Sequence, residues 1–188
     1  MLNGYIKFSP SYDVLIKLII ALLFTCSIGP YTVAIPGEVP ITLQTLFLLL
    51  FSIAFGWRVG GLNALLYVLL GAAGLPVFSG YHGGLEHIDG ISGGFFFGFI
   101  AATLITGFLV EFPFSKNPFG HIGIWLIGHL IILAMGGFWM RRFRPDNWWD
   151  NIEVTLPGAA IKSAVGFLII QILIRLLAGR NEFYNQKK

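Results

Sequence analysis

Charge is what this sequence has least of. Charged side chains make up 11% of its 188 residues, hydrophobic ones 56%, and the mean hydropathy is +0.79. That is too little polar surface for a soluble globule of this size, and the composition reads as an all-α integral membrane protein, a single membrane domain over residues 1–188. Cysteine is nearly missing too. Cys26 stands alone inside an apolar run, which excludes an intramolecular disulfide and reads as a small buried apolar side chain. A removable leader is not expected, because Met1 to Pro10 carries little positive charge and no small-residue cleavage site follows. Internal repeats and low-complexity runs are absent. The net charge of +3 does not point to nucleic acid, since basic loops are what any polytopic membrane protein places on its inner side. Catalytic sets are missing as well: Glu86 and Asp89 read as solvated loop residues, and no nucleophile with a base accompanies them.

What is present is a series of apolar segments of about the length a bilayer core requires. Six are predicted, at residues 14–28, 41–57, 62–73, 93–110, 121–140 and 156–178. Small residues mark places where helices approach closely: Ala21 and Thr25 in the first segment, Gly94 and Gly98 in the fourth. Gly56 to Gly61 reads as the turn between the second and third segments. With both termini in the cytoplasm, inner loops and tails hold Lys7, Lys17, Arg58, Lys116, Arg175, Arg180, Lys187 and Lys188, against Arg141, Arg142 and Arg144 outside. Eight against three favours that orientation, although the arginine cluster, close to a helix end, argues the other way. Trp148 and Trp149 in the same outer loop read as interfacial anchors.

Between the third and fourth segments lies a glycine-rich excursion, Gly71 to Gly98, holding Phe78, Tyr81, His82, Gly83, Gly84, His87 and Asp89. Irregular backbone at membrane depth is tolerated where it lines a cavity or is covered by protein, so residues 76–93 read as a cavity-lining or capping loop. Polar side chains inside apolar helices need partners or a ligand, and Thr42, Gln44 and Lys162 fall at one membrane level. Tyr67, Phe78, Tyr81 and Phe95 to Phe97 offer aromatic walls beside them, which together suit a small-molecule pocket. Lys162 has a plainer reading, a stem that snorkels its ammonium to the headgroups. His82, His87 and Asp89 have metal-ligand chemistry, and a membrane enzyme with a metal there is the alternative from another class; their spacing matches no closed zinc pattern and no metal is assigned.

Three strings carry a resemblance. Val39-Pro-Ile-Thr-Leu-Gln-Thr-Leu46 is similar to P-V-T-L-Q-T-L at the second helix of BioY-type substrate-binding (S) components of energy-coupling-factor (ECF) vitamin transporters, which capture biotin. Tyr67, Gly71, Gly74-Leu-Pro-Val-Phe78 and Gly83-Gly84 resemble the family's Y-x3-G-x2-G-L-P-V-F and its following glycine pair, and Gly90 to Gly98 is similar to G-P-T-G-G-Y-x3-G. The resemblance implies the ECF S-component fold of six transmembrane helices, with both termini cytoplasmic and an extracytoplasmic vitamin site. It also implies partners, a transmembrane scaffold subunit and two ATPase subunits, with helix one packing on the scaffold around Ala21 and Thr25. The subunit itself hydrolyses nothing and needs no cofactor. Substrate contacts are then expected from Lys162, Gln44, Thr42, Tyr67, Phe78, Tyr81, Gly83, Gly84 and Phe95. Departures occur at Ile91-Ser92 and Phe95, and in Pro157-Gly-Ala-Ala-Ile-Lys162, where the family's P-G-D-x-x-K has an acid at the position of Ala159. Glu86, Asp150 or Glu153 folding inward, or a ligand other than biotin, are the ways to accommodate that loss.

Overall fold

In the computed structural model, residues 1–9, 12–33 and 41–185 are described. Pro36, Glu38, Val39 and Pro40, between the first two predicted segments, and Lys187 and Lys188 of the tail lie outside the described residues. The helices are α1 (Asp13–Ser27), α2 (Gln44–Phe55), α3 (Trp57–Ala72), the short α4 (Leu85–Asp89), α5 (Gly93–Leu109), α6 (Pro118–Met140), the short α7 (Trp148–Glu153) and α8 (Leu156–Asn185). Two-residue strands, β1 (Thr32–Val33) and β2 (Ile41–Thr42), pair antiparallel, Thr32 opposite Thr42. That pairing moves the start of α2 inward from the expected Ile41 to Gln44, because residues 41 and 42 give their backbone to the ladder.

Helix α2 is the axis of the fold. It is apolar all round and nearly every residue from Gln44 to Phe55 is buried, the pattern of a helix enclosed by others. Its neighbours are α1, α3, α5 and α8, and α6 closes the bundle against α5 and α8. The turn into α3 is a single residue. Gly56 has φ +86°, which glycine adopts without strain, and α3 starts at once with Trp57. Gly60 and Gly61, expected in the turn, are instead buried helical residues, so α3 is 16 residues long rather than the short segment predicted from Leu62. One positive-φ glycine reverses the chain, and the other two let α3 lie against Ser52 and Leu104.

The α5–α6 contact uses Gly94 and Gly98 as their spacing predicts. A Cβ on Gly98 would stand 3.0 Å from the Ile132 Cα, and one on Gly94 would strike Trp139. Hydrogen bonds add to the helix contacts: Asn63 Nδ2 donates to Thr25 Oγ1 at 3.1 Å, and Ser52 Oγ reaches the Thr103 carbonyl and the Thr106 hydroxyl. At the other end of α1, buried Lys17 donates to Asp13 at 2.7 Å and to Asn3 Oδ1 at 2.9 Å. Outward faces are apolar, with Leu23, Leu130, Phe138, Ile172 and Leu176 exposed. Among the described residues two stretches are long and apolar enough to cross a bilayer by themselves, the 23 residues of α6 and the 24 residues Leu156–Gly179 of α8. Helices α1, α2, α3 and α5 are shorter, at 15, 12, 16 and 17 residues.

Candidate functional site

One cavity gathers most of the singled-out polar residues. It opens where α2, α5 and α8 begin and where α6 ends, and its volume is about 190 Å³. Helix α2 contributes Gln44 and Thr45, with Thr42 just before it; α5 contributes Phe95, Phe96 and Phe99; α6 contributes His129, Ile132 and Leu133; α8 contributes Gly158, Ala159 and Lys162. The loop after α3 covers one side with Phe78, Ser79 and His87. Apolar and aromatic walls with a few convergent polar groups are the general form of a small-molecule site.

Lys162 turns inward. Its Nζ donates to Thr45 Oγ1 at 2.6 Å and to the Thr42 carbonyl at 3.3 Å, so the ammonium is held at the cavity wall and not drawn to headgroups. Among the described residues no acidic side chain lines the cavity. Glu86, Asp150 and Glu153, the acids considered as substitutes at the Ala159 position, are all exposed, and Ala159 itself borders the cavity with a methyl group. Among the described residues its hydrogen-bond partners are therefore neutral oxygens, which leaves the Lys162 ammonium room for a further acceptor.

Gln44 is oriented from behind. Its Nε2 donates to the Tyr67 hydroxyl at 2.6 Å, and that hydroxyl donates to the Val77 carbonyl at 2.7 Å. Because the phenol proton is committed to Val77, the amide must present N–H to Tyr67, and its carbonyl is the end left for the cavity. Tyr67 is fully buried and stands behind the wall, edge-on to Phe78 with ring centroids 5.8 Å apart. Phe78 in turn lies 4.2 Å from Phe96, making a continuous aromatic side.

The remaining expected contacts lie elsewhere. Tyr81 is 52% exposed, has φ 62°, and donates its hydroxyl to the Ser27 carbonyl at 3.2 Å, tying the loop to the end of α1. Gly83 and Gly84 fold the loop back on α3, the Gly84 amide donating to the Gly71 carbonyl at 2.7 Å, and a Cβ on Gly83 would strike the Leu75 carbonyl. Ala21 and Thr25 are wholly buried, and Thr25 Oγ1 accepts from Asn63 of α3; the small-residue spacing identified a close helix contact, and the helix packed there is this chain's own α3. The His82 and His87 rings are 5.6 Å apart, His82 Nδ1 is 2.9 Å from the Ser79 carbonyl, and Asp89 is exposed. Among the described residues no group of three metal-ligating side chains forms. His129, Ser92 and Thr155 border the cavity without having been singled out; for His129 the signal was there, an ionisable residue inside an apolar span.

Two arginines of the cluster stack on tryptophans. Arg142 lies 4.8 Å from the Trp139 ring and Arg141 5.4 Å from that of Trp148, while Trp139 Nε1 donates to the Gly90 carbonyl at 2.9 Å.

Known proteins similar to this chain share one description. A protein of Thermotoga maritima described as "Biotin transporter BioY" is 40% identical over 156 residues, covering 74% of this chain and 90% of that protein. One of Rhodobacter capsulatus with the same description is 39% identical over 175 residues, covering 85% and 90%. The "Probable biotin transporter BioY" of Pyrococcus horikoshii is 36% identical over 129 residues, covering 69% and 74%. In fold, the chain resembles the crystal structure of the S-component for biotin from an ECF-type ABC transporter, with a TM-score of 0.79 at 23% identity, over 90% of this chain and 95% of that one. Residues 7–179 match the BioY family, and this chain, a membrane protein with the helical S-component fold, belongs to that family.

Proposed function

We propose that this chain is the substrate-capturing subunit of a biotin transporter. In this reading six helices, α1, α2, α3, α5, α6 and α8, cross the cell membrane with both termini in the cytoplasm. The asymmetry of basic residues supports that orientation, and it places the cavity mouth on the extracytoplasmic side. Biotin has an apolar fused-ring and alkyl body with a carboxylate at one end and a urea at the other. The single observation that carries the reading is a cavity with Phe78, Phe95, Phe96 and Phe99 as walls and Lys162 as a cation beside which no acid stands among the described residues. An oxygen acceptor of the ligand completes the Lys162 coordination, and Gln44 offers a carbonyl to a ligand N–H.

The chain performs no reaction of its own in this reading. A transmembrane scaffold subunit and two ATPase subunits supply the energy and reorient it for release. With Ala21 and Thr25 committed to α3, the exposed side of α1, Leu15, Ile19 and Leu23, is the face of that helix left for the scaffold. Isothermal titration of the purified protein with biotin tests the assignment. A saturable, one-to-one isotherm with sub-micromolar Kd is expected, and a Kd of micromolar or weaker overturns it.

A further inference from the structure

His129 is a buried polar group to which the proposed function gives no task. It is 4% exposed, its ring borders the cavity, and its two nitrogens are in different situations. Nδ1 is 2.9 Å from Ser163 Oγ on α8 and 3.2 Å from the carbonyl of Trp125 one turn below. Nε2 is buried and has no hydrogen-bond partner. Buried polar atoms are rarely left this way, and an orphan at the edge of a cavity is where an occupant's complementary atom belongs.

Its depth is fixed by the directions of the helices. α6 ends at the mouth, so His129 lies a turn deeper than Ile132 and Leu133. α8 begins at the mouth, so Lys162 is the deepest of its wall residues. Both side chains therefore stand at the floor, and Ser163, which holds the imidazole, is the next residue after Lys162. The Ala159 methyl above them adds no hydrogen-bonding group.

We propose that His129 is a second ligand-binding residue at the cavity floor, its Nε2–H donating to the same oxygen-bearing group of the ligand that the Lys162 ammonium binds. The inference rests on the reading of the chain as a ligand-capturing subunit. In this proposal Ser163 is the positioning residue: its hydroxyl, nearer to Nδ1 at 2.9 Å than the Trp125 carbonyl at 3.2 Å, donates to Nδ1, and an imidazole that accepts there carries its proton on Nε2. A carboxylate and a urea carbonyl share the required chemistry, an exposed oxygen with two acceptor directions, one for each donor.

The test is isothermal titration of the full chain in detergent, with biotin and with biotin whose carboxyl is capped as an amide, on His129→Ala, His129→Phe, His129→Gln, Ser163→Ala, Lys162→Ala and the double variant of His129→Ala with Lys162→Ala. Loss of a hydrogen bond to a charged or strongly polar group corresponds to about tenfold or more in Kd, and His129→Ala and His129→Phe should both show it. His129→Gln, which keeps an N–H donor, should recover part of the loss, and Ser163→Ala should show a smaller one. The double variant should bind less weakly than the product of the single losses, because both donors serve one group. If that coupling vanishes for the capped ligand the shared group is the carboxylate, and if it persists the group is the urea; either result supports the inference. Thermal midpoints without ligand separate a folding defect from a binding one. A wild-type chain that binds biotin while His129→Ala, His129→Phe and His129→Gln bind it equally well, or a double variant whose losses simply multiply, overturns this inference alone. A wild-type chain that binds neither ligand overturns it together with the proposed function.

Discussion

Gln44 and Tyr67 are joined by a 2.6 Å hydrogen bond, and Tyr67 passes its own proton to the Val77 carbonyl at 2.7 Å. One buried phenol thus ties the first turn of α2 to the loop residue next to Phe78, a cavity wall. Tyr67→Phe keeps the ring packing but leaves the Gln44 amide and the Val77 carbonyl without this partner. Leaving such buried groups unmade costs about 1–3 kcal/mol. For a chain of this size that corresponds to a fall in thermal midpoint of roughly 2–4 °C per kcal/mol, together with weaker biotin binding as Gln44 and Phe78 loosen. A melting curve and a titration on the same preparation check both parts.

Lys162 gives the most direct test of the site. Lys162→Ala removes the cation while Thr45, Thr42 and the aromatic walls remain. A drop in biotin affinity of about tenfold or more is expected at unchanged expression, from the loss of a charge-assisted hydrogen bond. An unaltered dissociation constant would reduce Lys162 to a side chain that merely caps Thr45.

Ala159 offers the reverse experiment. It lines the cavity one turn before Lys162 on the same face of α8. Ala159→Asp would place a carboxylate within reach of the ammonium and offer an acceptor to ligand N–H groups. Tighter biotin binding, by about tenfold, is expected from an added hydrogen bond to a charged group. Weaker binding in the titration would mean that the new charge competes with the ligand for Lys162.

Sequence legibility follows the range of the interaction. Thr42, Gln44 and Lys162 stood out because polar groups in apolar helices are conspicuous, and all three border the cavity. The close approach at Gly94 and Gly98 was readable because it depends on spacing within one helix. What a residue faces was not readable from its own segment. Ala21 and Thr25 have small-residue spacing that serves any neighbour, and the neighbour is α3. Tyr81 has an aromatic side chain suited to a wall, but its positive φ sends it toward Ser27, 54 residues earlier. The partner that orients His129 is Ser163, 34 residues later, and no local pattern joins them. Gly56 was hidden among three glycines of one turn because only the backbone distinguishes the one with positive φ.

The α5–α6 seam can be tested apart from the ligand. At Gly98 an added Cβ would lie 3.0 Å from the Ile132 Cα and 3.2 Å from its carbonyl oxygen, both backbone atoms that cannot swing aside. Gly98→Val must push the two helices apart, and overpacking of this kind costs about 1–3 kcal/mol. Gly123, on α6, has nothing within 4 Å of the same construction. Gly123→Ala should therefore be neutral or gain up to about 1 kcal/mol from helix propensity. Because α5 and α6 carry Phe95, Phe96, Phe99, His129, Ile132 and Leu133 to the cavity, the Gly98 variant should also lose ligand affinity in step with stability. Melting curves of the two glycine variants beside the wild type, with and without biotin, decide the matter: equal midpoints for all three would mean that the helices pack with more freedom than a 3.0 Å approach allows.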